Sequence, residues 1–537
     1  MKHSFPLFQK FIFLYLAFFA FSYTLAAQVR SIDSLYPYDN KIQGRGYDIF
    51  LGNDSMYYIV GLGYGYTSQP FGTIFTFQIA SNGTLLNKTS FFDTAILAAV
   101  SIGRAGAARQ LTGSDTHGYL VPTTSSYINP DSPRGPYSVD AGLMLLDNKG
   151  DTVFSKIYPH PDSSQIDDAR ACDSLPDGGF IIAGTRFDTG SSNKVYGMVM
   201  RTDNAGNLLW TKTYKSDLGY ENYLTSVQYI GDGHILLGGN YVFLYYPGGY
   251  LVTTDLIPWF LLIDTTGKVI TSITTDFVHS HDHAGGANIF KDRNGGFFYF
   301  GNFDYAKDRQ NYDDDPLSSV PYIAHLNDSF VQDWITSLCD SVTFYNICGG
   351  KQLKNGSYLM YGSAGQNTPP FYVAWAAKIS KSGALLWHHT FPGFHGIYSF
   401  CEVSDVVEHK DGSLTFVGDA EDSLATTPAI YSATWLLGVD SNGIVDGPST
   451  LVPQTYSPAS KIQVYPNPSS GIFTVSVAMS GTVMIYGLSG AVMSRKHITA
   501  GKTTIRLPDD LAAGTYLFQF IDNEGRISDT KSLSIVR

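Results

Sequence analysis

A tight turn built on Asp or Asn recurs seven times along the chain. It stands at Asn53-Asp54-Ser55, Asp115-Thr116-His117-Gly118, Asp177-Gly178-Gly179, Asp232-Gly233-His234, Asn294-Gly295-Gly296, Asn355-Gly356-Ser357 and Asp411-Gly412-Ser413. Counted from Asp54, Asp115, Asp177, Asp232, Asn294, Asn355 and Asp411, the steps are 61, 62, 55, 62, 61 and 56 residues. A step this regular is the mark of a repeat architecture. Asp-Gly and Asn-Gly tolerate the positive φ of tight hairpins, which explains their use. An apolar run ending in small residues follows each turn, at 58–61, 119–121, 180–184, 235–239, 297–301, 358–362 and 414–418.

A second turn recurs at Gly83, Gly150, Gly206, Gly267, Gly383 and Gly443, with Asn327-Asp328-Ser329 in its place once. Trp259, Trp375 and Trp435 each stand five residues before the second turn, while Phe154, Trp210 and Trp387 stand four after its glycine. Aromatics at matching phase pack equivalent surfaces, so these tryptophans are expected in the core. Each unit then holds four strands, one before the first turn, one after it, and two flanking the second. A single sheet of that size cannot bury both faces, whereas a ring of sheets can. Tandem β-sandwiches would need about 90–100 residues per domain. The expected fold is all-β, a seven-bladed β-propeller over 28–447, then a linker at 448–460 punctuated by Pro453 and Pro458, then a small Ig-like β-sandwich at 461–537.

Residues 40–450 resemble the degenerate propeller repeats of secreted bacterial surface proteins, with GGFIIAGT-like strands and a D-x-x-G-x-x-x-W hairpin. The S-x-D-x-G-x-T-W hairpin of sialidase-type propellers is not met, because Asp203 to Gly206 is one residue too long.

Residues 1–27 read as a cleaved signal peptide. Lys2, His3 and Lys10 precede the apolar run 11–21, and Ala26 and Ala27 precede Gln28. No later run reaches the roughly 18 apolar residues of a membrane helix. Acidic residues outnumber basic ones, 47 to 35, which argues against nucleic acid. An exported chain permits disulfides, and Cys172, Cys339, Cys348 and Cys401 allow three pairings. Cys339 with Cys348 is the most local, and Cys348 with Cys401 would join neighbouring units.

The last 77 residues carry separated motifs: Tyr465-Pro466-Asn467-Pro468-Ser469-Ser470-Gly471, Ile485-Tyr486-Gly487-Leu488-Ser489-Gly490, Leu511-Ala512-Ala513-Gly514-Thr515-Tyr516 and the ending KSLSIVR. In order and spacing they resemble the type A C-terminal sorting domain of the type IX secretion system of Bacteroidetes. The resemblance implies recognition by the outer-membrane translocon, removal by a sortase-like peptidase, and a secreted or surface-attached passenger. Tyr465, Pro466, Asn467, Pro468, Gly471, Gly487, Gly490, Gly514 and Tyr516 would carry the sorting signal.

Chemistry is less marked. His279, His281 and His283 alternate in an extended segment, so three imidazoles could converge on a divalent metal. Asp313-Asp314-Asp315 could hold calcium but lacks the spaced order of a calcium loop. His388, His389 and His395 precede Glu402, Asp405 and Glu408, and loops of a propeller could assemble such groups at its axis. No catalytic residue is assigned and no cofactor is called for beyond that metal. The expected function is non-enzymatic binding of glycan or protein through loop faces. The alternative is a hydrolase or lyase on extracellular polysaccharide or peptide.

Overall fold

The computed structural model describes residues 33–36, 42–52, 54–65, 72–91, 99–102, 107–112, 117–128, 137–160, 165–188, 194–217, 221–245, 253–274, 284–305, 318–338, 344–365, 372–391, 400–422, 431–445, 463–465, 469–477, 480–486, 492–507, 512–522 and 527–536. Every named element among them is a β-strand. Each unit is an antiparallel meander, as its sequence of short apolar runs and tight turns requires. The third unit is typical, with Gln165–Ser174 first in the sheet, the strand called inner below, then Phe180–Asp188, Lys194–Thr202 and Leu208–Tyr214. The first such sheet begins with Ile42–Leu51, the fourth with Glu221–Gly231, the fifth with Ala284–Lys291 and the sixth with Phe344–Gln352. One parallel pairing, Val195 with Glu221, joins the third and fourth units into an eight-stranded sheet.

The seventh unit departs from expectation. It takes Phe400–Glu408, Leu414–Asp422 and Tyr431–Val439 from the end of the repeat, but its fourth strand is Asp33–Tyr36, from the start of the chain. The residues after Gly443 do not fill that place. Pairing the early strand covers an edge that would otherwise present unbonded backbone groups.

The second turns owe their sequence to local hydrogen bonding. Asp203 Oδ1 accepts from the backbone N–H of Ala205 and Asn207, and Asp147, Asp264, Asn327 and Asp440 do the same in their turns. The glycine that follows also serves the neighbouring unit. A Cβ on Gly206 would lie 2.7 Å from the Phe154 ring, and one on Gly383 2.7 Å from Trp334. Each outer-strand aromatic thus lies on the next unit's turn. Tyr158 and Tyr214 add hydrogen bonds to the carbonyls of Gly206 and Gly267, and Tyr36 makes the same bond to Gly83. Where the fifth unit has Phe330 at φ 58° instead of glycine, the fourth unit offers Thr271 instead of an aromatic, and Phe330 stacks on Phe297.

The small residues expected to end the second strands lie within them, since these strands run on to Gly65, Asp188, Tyr245, Tyr305, Gly365 and Asp422. Their role is steric. The inner strand bulges opposite them, between Gly46 and Asp48, Ala169 and Ala171, Leu224 and Ser226, Ile347 and Gly349, and Val403 and Asp405. A Cβ on Gly184, Gly239, Gly362 or Gly418 would overlap the carbonyl oxygen of Asp168, Tyr223, Asn346 or Glu402. In the second unit Thr123 takes this place, and the inner strand is split into Ala99–Ile102 and Arg109–Thr112.

Buried apolar clusters span successive units. Phe50, Tyr58 and Val60 of the first meet Tyr119 and Leu146 of the second. The first also meets the seventh, through Ile49, Tyr57, Ile59 and Phe75 against Val407, Val417 and Leu436. Trp259, Trp375 and Trp435 are core residues, as expected. Downstream, the sheet of Gln463–Tyr465, Ile472–Val477 and Gly501–Arg506 shares one core with the sheet of Val492–Ile498, Gly481–Tyr486, Gly514–Asp522 and Ile527–Ile535. Cys172, Cys348 and Cys401 are thiols, so neither Cys339–Cys348 nor Cys348–Cys401 is bridged. Cys172 instead packs in the core between the second and third units. Cys339 lies outside the described residues.

Gly418→Ala should lower stability by about 3 kcal/mol or more, because the inner-strand carbonyl must give way. Gly412→Ala, whose nearest neighbour is Ser441 Cβ at 3.6 Å, should cost about 1 kcal/mol, from its φ of +83° alone. Equal denaturation midpoints for the two variants would refute the steric role.

Candidate functional site

In an antiparallel meander both kinds of tight turn lie at one end of the strands. The connections between second and third strands, and from one unit to the next, lie at the other. The functional side chains gather near this second end. The residue just before each inner-strand bulge is polar in five units: Arg45, Asp168, Tyr223, Asn346 and Glu402. The residue after the second-strand glycine is polar in most units too, and buried or half-buried: Thr124, Thr185, Asn240, Asn302, Ser363 and Asp419. The two sets engage across unit boundaries. Thr124 donates to Asp168 at 2.7 Å, Asn302 to Asn346 at 3.2 Å and Ser363 to Glu402 at 3.2 Å, while Arg45 Nε faces Asp419 Oδ2 at 3.4 Å.

Charge concentrates where the seventh unit meets the first. Glu402 and Asp419 stand directly opposite each other on adjacent strands. Arg45 Nη2 donates to Glu421 Oε1 at 2.9 Å, and its guanidinium lies 5.9 Å from the centre of the Phe400 ring. Phe400 packs on Tyr372, which is 43% exposed. Burial, reinforced by the Glu402 charge, raises the Asp419 carboxyl to about 8, and burial also raises Glu402. Asp419 Oδ2 is buried without a hydrogen-bond donor.

Deeper along the inner strands a second polar group joins four units. Asp48 accepts from the Ala108 N–H, and Asp405 accepts from the Ile49 N–H and the Tyr361 hydroxyl. Burial, and then the Asp405 charge, raises Asp48 to about 8. Arg109 of the second unit reaches the Phe290 ring of the fifth, 5.7 Å from its centre, so side chains from distant units meet here.

Of the residues singled out from sequence, His279, His281 and His283 lie outside the described residues, as do Asp313-Asp314-Asp315 and His395. The strands flanking the histidines are Val269–Thr274, which ends at the site end, and Ala284–Lys291, which begins there. Among the described residues no group of three or more His, Cys, Asp or Glu could hold a metal ion. The expected assembly of His388 and His389 with the acids does not form. His388 packs between Tyr345 and Trp375, where burial lowers it to about 4, and His389 bonds to the Asn442 carbonyl. Glu408 binds the Lys354 N–H. Of those acids, Glu402 alone reaches the site. Arg45, Asp419 and Glu421 were missed, although Gly418-Asp419-Ala420-Glu421-Asp422 is the one second strand with an acidic run after its glycine. In the tail, Tyr465 and Gly514 are exposed and Tyr516 donates to the Ala512 carbonyl at 2.6 Å. Gly471 is buried, and Pro466, Asn467, Pro468, Gly487 and Gly490 lie outside the described residues.

Residues 463–535 match the family described as "Secretion system C-terminal sorting domain". The chain is therefore type IX secretion cargo, exported and then secreted or attached at the cell surface. No helix among the described residues is long and apolar enough to cross a membrane. No curated protein matches the sequence. Among solved structures, a protein of unknown function from Dyadobacter fermentans is similar at TM-score 0.40 and 10% identity, over 76% of this chain and 98% of that one. A PL25 ulvan lyase bound to -[GlcA(1-4)Rha3S]- is similar at 0.47 and 8%, over 76% and 96%. An α-L-arabinanase from Penicillium chrysogenum in complex with arabinobiose is similar at 0.37 and 11%, over 76% and 97%.

An acid whose folded pKa lies above its unfolded value of 3.8 loses stability as pH rises between the two. Asp48→Asn should therefore be more stable than the parent at pH 9, by about 1–2 kcal/mol, with the gap closing towards pH 5. A gap independent of pH in urea titrations would count against the buried acid. Arg45→Met should lose about 2 kcal/mol at pH 9, where the Asp419 carboxyl is ionised, and less at pH 5, where it holds its proton.

Proposed function

We propose that the chain is a seven-bladed β-propeller carried to the cell exterior by its tail, and that the site end of the ring binds an extracellular glycan. Closure is supported by seven buried clusters, each shared by successive units and one of them joining the seventh to the first. Seven units in an open row would leave six such junctions. The tail's two sheets with a common core suit an Ig-like sandwich, and its motif residues are proposed as the sorting signal.

One observation carries the glycan reading. Inner strands of five units present polar side chains at one level, each of four engaged by a polar neighbour, with Tyr223, Phe400 and Tyr372 among them. Sugars are bound by such mixtures, in which planar polar groups take the hydroxyls and aromatic faces cover the ring carbons. A glycan array probed with full-length protein should find oligosaccharide ligands, and Tyr372→Ala should weaken the best of them about tenfold. Binding to proteins alone would sink this reading. A divalent ion held by His279, His281 and His283 is part of the proposal, to be sought by metal analysis of the purified chain.

A second reading, a polysaccharide hydrolase or lyase, is favoured by the facing carboxyls of Glu402 and Asp419. With Asp419 raised to about 8, one partner is protonated and the other ionised near neutrality, the division of labour that general acid–base catalysis needs. Turnover of a bound polymer, lost in Glu402→Gln with binding retained, would decide for it.

Deletion of residues 461–537 should leave the passenger inside the cell envelope, measured by fractionation. Normal appearance of the truncated chain outside the cell would overturn the sorting role.

A further inference from the structure

We propose that the corner where the seventh unit meets the first selects glycans bearing free ammonium groups, amino sugars in their deacetylated form. This rests on the glycan reading above and narrows it to a charge class.

The inner strand of the first unit contributes Arg45 and Tyr47, and the inner strand of the seventh contributes Glu402 and Phe400. The second strand of the seventh adds Asp419 and Glu421, and the sixth unit adds Ser363 and Cys348. Three carboxyls therefore face one guanidinium. Arg45 engages Glu421 Oε1 at 2.9 Å but meets Asp419 only at 3.4 Å, so Asp419 Oδ2 is left buried with no donor. A buried carboxylate oxygen in this state is costly unless a donor arrives or a proton is held. An ammonium group supplies both hydrogen bonds and positive charge at the place where the chain falls short. It has three donors and needs no fixed fork, so it fits irregularly placed oxygens. Phe400 and Tyr372 give the sugar ring an apolar face beside them. The described residues arrange no metal site from these acids, so an organic cation is the better match. An anionic polymer carrying uronate or sulfate brings no ammonium donor for these oxygens and meets an acidic corner whose one cation, Arg45, is already paired.

A consequence follows for protons. Burial and Glu402 hold the Asp419 carboxyl largely protonated near neutrality. A cation docking beside it favours the ionised form, so binding releases protons to the buffer.

The test is calorimetry on the full chain at pH 7 with four probes: a chitosan hexamer, its fully N-acetylated counterpart, an oligouronate and a lysine-rich peptide. The chitosan hexamer should bind at least tenfold tighter than the acetylated one, the oligouronate should not bind, and the affinity should fall with added salt. Repeating the titration in buffers of different ionisation enthalpy should reveal net proton release. Asp419→Asn and the more exposed Glu421→Gln should each shrink the preference for chitosan at least fivefold, with folding checked by thermal melting. The measurement of proton release on the unaltered chain stands even if a variant does not fold. Equal or tighter binding of the acetylated hexamer or the oligouronate overturns the charge selection while leaving the glycan reading intact. Binding of the peptide without any saccharide, or of no probe while an array still finds glycans elsewhere, also overturns it. Absence of every glycan ligand overturns both readings.

Discussion

The close approach of each inner strand to a glycine on its neighbour governs the repeat region. Where that glycine stands, the carbonyl of Asp168, Tyr223, Asn346 or Glu402 enters space that any side chain would occupy, and the inner strand takes on one extra residue. Side chains of a strand alternate between faces, so an extra residue changes which face the rest of the strand presents. Residues before the bulge supply the polar set of Arg45, Asp168, Tyr223, Asn346 and Glu402. Residues after it, such as Ala171, Ser226 and Asp405, are buried. One steric condition thus separates the polar set from the core. In the second unit, with Thr123 in that place, the inner strand is split.

The electrostatics of the molecule are uneven in a way its overall charge does not reveal. Acidic excess is spread over the chain, yet of the four buried or half-buried acids with raised pKa among the described residues, three, Asp48, Glu402 and Asp419, lie at or beside the junction of the seventh and first units. The other, Asp173, lies between the third and fourth. This junction differs from the others because Asp33–Tyr36 completes the seventh sheet there, so residues nearly 400 positions apart become neighbours. Asp48 with Asp405 and Arg45 with Asp419 and Glu421 bridge the same seam at two depths. Buried acids are poor glue, since each costs desolvation that its partners only partly return. Their concentration at one seam is easier to understand as the requirement of a site than of a fold.

How much of this could be read in the sequence follows from the range of each interaction. The turns were legible because their chemistry is local: Asp203 satisfies amides two and four residues away. The phase of Trp210 and Trp387 was legible as packing, although what they pack on, the next unit's glycine turn, was not. The four-residue strand Asp33–Tyr36 carries too little pattern to be noticed, and its partner lies at the far end of the repeat. Glu402 was picked out for its nearness in sequence to His388 and His389, and it belongs to the site for another reason, its position before a bulge. Arg45 and Asp419 gave no signal because their partnership joins the first unit to the seventh, at opposite ends of the repeat. Whether the cysteines are structural thiols or disulfides was open in the sequence and depends on geometry that spacing cannot express: Cys172 and Cys401 are each enclosed in the apolar core between two units.

The two ends of the strands are also chemically unlike. One end holds the short turns, closed by their own Asp, Asn and Gly residues, with little freedom to vary. The turn at Asp440–Ile444 of the seventh unit is one of them. The other end holds the long connections and the polar set. Substitution or insertion at that end leaves the turn hydrogen bonds and the glycine-to-carbonyl contacts untouched. The polar set can therefore change without disturbing the contacts that hold each unit together.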